Sequence, residues 1–188
     1  ARRFSPFLVR NRKKDNKMDL RMKKTLAAIR NAFIELRSHK PLEKITIKEL
    51  TEKAEISKAT FYLHYQDVYD LSSSIQEEVI EEVFSNIENP ETILSDTEGF
   101  TRTLFYAASA SKALIDIVFA DNQAIVLPEK IEEKIKKSIF TIHPEFKDDI
   151  RLNISITFRV QGAYNVYRKY YGIYEQEEII NNLCVIFN

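Results

Sequence analysis

The chain has little of what interrupts helices. Three glycines and five prolines occur in 188 residues. Few turns can therefore take a left-handed backbone freely, and few stops are forced. With abundant Glu, Lys, Ile and Leu, that scarcity favours an all-α fold. Cysteine occurs once, at Cys184, which excludes a disulfide within the chain. The apolar run around it, residues 183–187, makes it a small buried hydrophobe rather than a nucleophile. No apolar run approaches the roughly 18 residues of a membrane span. The patch FSPFLV is broken by Pro6, stopped by Arg10 and too short for a signal-peptide core. The expectation is a cytoplasmic protein with no membrane partner. Histidine is scarce as well. His39, His64 and His143 show no metal-ligand spacing, and there is neither a glycine-rich phosphate loop nor a Cys–His arrangement. No catalytic residue, metal or cofactor is assigned, and a helical enzyme is the least favoured function.

The length suits one domain, or a small domain joined to a larger one. The formal charge is zero, yet it is divided. Residues 1–70 carry 17 Lys/Arg against 9 Asp/Glu, a balance of +8, and residues 71–188 carry 11 against 19, a balance of −8. Only the N-terminal third is therefore expected to meet a polyanion.

Residues 1–17 hold seven Lys/Arg and one Asp without a helical period. They read as a basic, disordered arm, in part an extension ahead of a native start at Met18. In the next segment Leu26, Ile29, Ala32, Phe33 and Leu36 follow three- and four-residue steps, which predicts an amphipathic helix. Pro41 ends it. Thr46-Ile-Lys-Glu49 is a capping box that starts a short helix with Ile47, Leu50 and Ala54 inward. Ser57 caps a second short helix, Lys58 to about Tyr65. Helices this short need each other and the first helix to persist. One helix followed by two short ones across a tight turn is a helix-turn-helix unit, expected over residues 18–66.

At about 100° per residue, Phe61 and Tyr65 share one side of the second short helix. Lys58, Ala59 and Tyr62 turn outward. A small residue among donors lets a helix sit close in a major groove. Lys58 can reach a guanine edge or a phosphate, and Thr60 a base or a thymine methyl. Tyr62 and His64 suit phosphates, which fix register.

The run TIKELTEKAEISKATFYLHY, Thr46 to Tyr65, followed by QDVYDL, resembles the signature of the tetracycline-repressor (TetR) family of bacterial regulators. The resemblance lies in Thr46-Ile47, Ala54, Ser57, Thr60-Phe61-Tyr62 and the His64-Tyr65 pair, and it covers about 50 residues. It implies that Thr46 grips phosphate, and that Lys48, Lys58, Ala59 and Thr60 face bases or nearby backbone. Tyr62 and His64 would hold phosphates; Ser57 and Tyr65 complete the candidate DNA-binding set. Two positions depart from the pattern. Glu55 stands where the family usually has Gly to relieve a left-handed backbone, which predicts either a strained turn residue or a different turn. Val68 stands where the family often has a phosphate-binding Lys, so one phosphate contact is missing. The basic arm, if native, would replace it in the minor groove.

Residues 67–188 are expected to form a helical domain that binds an effector and dimerises. Asp67 caps a helix with Leu71, Ile75, Val79, Ile80, Val83, Phe84 and Ile87 on one stripe. One or two helices follow over residues 99–120, one led by Pro128 at its first turn, then a long helix and a closing one. By the same resemblance the last two helices build a homodimer. Their candidate faces are Ile156, Val160, Ala163 and Tyr167 on one, and Ile179, Ile180, Leu183 and Phe187 on the other. The alternative is that these face only their own subunit. The aromatic residues Phe84, Phe105, Tyr106, Phe119, Phe158, Tyr164 and Tyr167 are candidates for an effector pocket, against the plainer reading as core. Glu77, Glu78, Glu81 and Glu82 read as a solvated face. The segment GAYNVYRKYYGIYEQEEII is similar to regulators of the dihydroxyacetone-kinase type within that family and names no ligand. The expected function is a ligand-responsive dimeric repressor that binds a double-stranded DNA operator. The alternative is a co-activator of the same fold that needs a partner.

Overall fold

The computed structural model describes residues 6–87 and 89–186. The described residues form nine α-helices and no strand, so the fold is all-α. The chain divides into two compact units, residues 1–73 and 74–188, a few residues beyond the boundary expected from sequence.

In the first unit, α1 spans Pro6–Arg37. The basic segment expected to be a disordered arm is therefore helical from Pro6 onward. Residues 1–5 lie outside the described residues. Ile29, Ala32 and Phe33 of the α1 stripe are buried. The helix stops before Pro41, which cannot continue an α-helical hydrogen-bond ladder; the Arg37 guanidinium donates to the Lys40 carbonyl at 3.1 Å. A 3-10 turn, Leu42–Lys44, seats Leu42 and Ile45 in the core. Helix α2 spans Ile47–Lys53 and α3 spans Lys58–Tyr62. Both pack as the apolar stripes require: α2 meets α1 and α3, with Leu50 and Phe61 fully buried between them. Helix α4, Val68–Ser85, begins in this unit and continues into the second; it starts at Asp67, whose carboxylate accepts the N–H groups of Tyr69 and Asp70 at 2.8 Å.

The second unit holds α5 (Thr97–Ala110), α6 (Lys112–Val118), α7 (Val126–Ile142), α8 (Ile150–Tyr170) and α9 (Gln176–Ile186). Pro128 lies in the first turn of α7, where its missing N–H costs nothing. Helix α5 packs on α9, α7 on α8, and α8 on α9. Ile135, Ile139, Ile156, Ile180 and Cys184 are among the core. Burial raises the Cys184 thiol above its ordinary pKa, which keeps it protonated and inert. Glu77, Glu78, Glu81 and Glu82 are exposed, but the face is tied down: Glu77 pairs with Lys130 at 3.3 Å and Glu81 with Lys134, both on α7. No described helix is long and apolar enough to cross a membrane.

The face of α8 assigned to dimerisation needs correction. Ile156 and Val160 are buried, and Ala163 and Tyr167 pack against Ile179 and Leu183 of the same unit. Ile180 is buried as well, and Phe187 lies outside the described residues. The opposite face of α8 is the exposed one: Ile150, Ile154, Phe158 and Val166 follow one another at four- and eight-residue steps. Val185 and Ile186 are exposed on α9.

Candidate functional sites: a helix-turn-helix face and an aromatic cavity

The geometry of the first site begins at the caps. The Thr46 hydroxyl accepts the Glu49 N–H at 3.3 Å and donates to Glu49 Oε2 at 2.9 Å, while the Thr46 N–H donates to the same oxygen at 3.1 Å. Lys40 Nζ donates to the other carboxylate oxygen at 2.6 Å. The Lys40 ammonium and then the Thr46 hydroxyl hold the Glu49 carboxyl down at about 2. The only Thr46 side-chain proton is thus committed inside the capping box, so a phosphate at this point meets the Thr46 oxygen next to a carboxylate. The hydroxyl grip implied by the family resemblance requires that box to open.

Helix α2 ends on Glu55 at φ 55°, the left-handed residue expected where glycine is absent. Ile56 N–H donates to Thr51 O at 3.0 Å and Glu55 N–H to Glu52 O at 3.3 Å, the paired bonds of a Schellman ending. Ser57 then accepts the Thr60 N–H at 3.0 Å, and the two hydroxyl oxygens lie 2.8 Å apart. Two hydroxyl protons serve that pair; one bridges, and one is left for an outside acceptor.

Helix α3 is shorter than expected: it ends at Tyr62, with Leu63 as its cap. His64 and Tyr65 therefore follow the helix rather than belong to it, both half-buried. Phe61 is 0% exposed and touches Tyr62 edge-on and Tyr65 obliquely, at 5.7 and 5.8 Å between ring centres. Lys58, Ala59 and Tyr62 turn outward, as does Lys48 on α2. Lys58, Ala59 and Tyr62 are thus exposed on α3 and Ser57 at its cap, while Thr60 is half-buried. Val68 is buried and offers no phosphate contact. Sequence reading missed Leu63, which is 80% exposed beside Tyr62. The signal was present, since Leu63 sits about 200° from buried Phe61 on the wheel.

The second site is a cavity of about 490 Å³ within the second unit. Phe105, Phe119, Tyr164 and Tyr167 line it. Three other candidates do not. Phe84 is core, Phe158 is 70% exposed on the far face of α8, and Tyr106 is exposed with its hydroxyl donating to Glu177 at 2.7 Å. The Phe105 and Tyr167 rings lie 5.0 Å apart, and Tyr167 and Tyr171 lie 5.4 Å apart. Tyr164 donates to the Ala124 carbonyl at 2.8 Å. Burial raises the phenols of Tyr164 and Tyr167 above their ordinary value, so both stay neutral donors. Polar wall residues were missed by looking only for rings: Lys112, Asp116 and Arg159 also line the cavity. Arg159 and Tyr171 fall on the same three- and four-residue steps as Val160, Ala163 and Tyr167, a stripe that had been assigned to a subunit contact.

No protein-family model matches the chain. Over 57 residues it is 37% identical to a protein of Bacillus subtilis (strain 168) described as the uncharacterized HTH-type transcriptional regulator YxbF. The match covers 30% of this chain and 14% of that protein, so the likeness extends to a segment the size of a DNA-binding head and no further.

Proposed function

We propose that this protein is a sequence-specific DNA-binding transcriptional regulator of the TetR type, a homodimer whose DNA affinity is set by a small molecule in the second unit. The observation that carries the reading is the exposed α3 face. A capped five-residue helix, anchored by Phe61, presents a lysine, an alanine, a tyrosine and a free hydroxyl proton together. Such a face suits a major groove: Ala59 permits close approach, Lys58 supplies charge, and Tyr62 and the Ser57–Thr60 pair supply donors for phosphate or base edges. Leu63 adds an apolar contact of the kind a thymine methyl accepts. The 57-residue match to a protein described as a transcriptional regulator supports the same class. We assign no catalysis to the protein. An effector acts here by preferring one arrangement of the two DNA-binding heads, and it shifts the balance only by that difference in affinity. Release from DNA on binding would make the protein a repressor.

The test is binding to labelled DNA from upstream of its own gene across a range of salt concentrations. The expected result is affinity that falls steeply with salt, by counterion release, and a loss of about tenfold or more for Tyr62→Ala, the size of one bond to a charged group. Binding no tighter than to random DNA, with Tyr62→Ala silent, would sink the operator reading at that site.

A second reading has its own observation. Val68 is buried and the Thr46 proton is committed to Glu49, so two phosphate contacts of the family pattern are weakened. A partner-dependent co-activator of the same fold would tolerate that. It is distinguished by DNA binding that becomes specific only with a second protein present.

A further inference from the structure

The cavity of the second unit holds a cation without a counter-charge. Lys112, Arg159, Arg168, Asp116 and Asp121 all border it. Lys112 is met by Asp116 at 2.5 Å and lies over the Tyr171 ring at 4.6 Å. Arg168 is exposed, as is Asp121. Arg159 differs from them all. It is half-buried, and its Nη1 donates to the Thr97 hydroxyl at 2.9 Å. That hydroxyl is neutral and gives its own proton to the Ile93 carbonyl at 3.0 Å. Among the described residues no ion pair includes Arg159.

A guanidinium offers five N–H donors in a planar fork, and one of these five is used. Drawing such a group out of water without an acceptor is unfavourable. A carboxylate satisfies it with two parallel bonds. Around this fork the wall is mostly apolar and aromatic, and it includes the paired rings of Phe105 and Tyr167. The volume of about 490 Å³ is in the range of small-molecule pockets.

We propose that the cavity binds a small aromatic carboxylate, its anionic group on the Arg159 guanidinium and its ring against Phe105 and Tyr167. The inference rests on reading this cavity as the effector site. A cationic ligand of the same shape would meet the Arg159 charge, with Asp116 already paired to Lys112, and a neutral one would leave the fork unfilled.

The experiment compares three probes that share one ring system: 2-naphthoate, 2-naphthylmethanol and 2-naphthylmethylamine. The chain has no tryptophan, so naphthalene fluorescence anisotropy reports binding without that background. The expected result is naphthoate at least tenfold tighter than the alcohol and the amine. Arg159→Gln brings naphthoate to the level of the alcohol and leaves the alcohol within twofold. Arg159→Lys keeps part of the preference, because lysine supplies the charge without the fork. An equal loss for all three probes in Arg159→Gln would mean a structural role and overturn the proposal. A neutral or cationic probe that binds tightest, and is lost when Ala163→Phe fills the cavity, would overturn the anion assignment while leaving a ligand site in place. No binding of any probe would overturn both; DNA binding of the unliganded protein is measured separately and tests the regulator reading by itself.

Discussion

Glu55 carries the turn between α2 and α3 in a conformation that costs a side-chain-bearing residue about 1–2 kcal/mol. Its side chain is exposed, so packing offsets none of this. Glycine would relieve the strain and lose up to about 1 kcal/mol through its freer unfolded chain. Glu55→Gly is therefore expected to stabilise the protein by up to about 1 kcal/mol, read as a higher thermal midpoint; a lower midpoint would mean that the turn is not left-handed in solution. Glu49 makes a prediction in pH. Its carboxyl is lowered to about 2 by Lys40 and then by Thr46. A carboxyl with a pKa depressed by folding adds stability that is present above its unfolded value and lost as pH falls toward the folded one. The stability difference between the wild type and Glu49→Gln should be constant near neutrality and shrink from about pH 4.5 down to about pH 2. Denaturant melts near neutrality and near pH 3 decide it. An unchanged difference would mean that the Lys40–Glu49 contact does not form.

The short helices depend on their caps because five to seven residues give almost no cooperative stability of their own. Ser57→Ala removes the acceptor of the Thr60 N–H and is expected to cost about 1 kcal/mol, with Ser57→Gly costing only a few tenths. Melts of the two variants check this; equal losses would implicate the hydroxyl pair with Thr60 instead of the cap. These caps were legible in the sequence because each needs only one hydroxyl or carboxylate and a neighbour three residues on. The end of α3 was not. Its apolar step from Phe61 to Tyr65 continues past Tyr62, and the Tyr65 N–H still reaches the Phe61 carbonyl at 3.0 Å, so pattern alone carries the helix too far. The start of α1 was missed for the opposite reason: its basic residues show no apolar period, yet the backbone stays helical from Pro6. Helix α8 defeated pattern reading in a third way. Isoleucine, valine and aromatic residues lie on both its faces, and only the packing of α5, α7 and α9 tells which one is covered. Of the seven aromatic pocket candidates, three do not line the cavity because Phe84 is taken up by the core, Tyr106 turns out to Glu177 and Phe158 lies on the exposed face of α8, and no spacing rule contains those outcomes.

That two-sided α8 bears on assembly. Ile154 is 62% exposed and Phe158 70% exposed on a stripe that runs the length of the helix. Contiguous apolar surface of this kind marks an interaction site on a protein of this size, and a two-fold axis lets one stripe cover its own copy. A second chain is the occupant we favour, since a dimer of DNA-binding heads can read two half-sites one helical turn apart, about 34–36 Å on DNA. The 22.0 kDa chain should sediment at about twice its mass. Phe158→Arg should return it to the mass of one chain, because a charge carried into a covered apolar stripe without a partner is strongly unfavourable. Operator affinity should fall together with the mass, by tenfold or more, as each head loses its tethered neighbour. Ile156→Val, on the covered face, should leave the mass unchanged. A wild type that sediments as one chain, or a Phe158→Arg variant that stays paired, would move the dimer contact off α8 and leave the exposed stripe for a different protein.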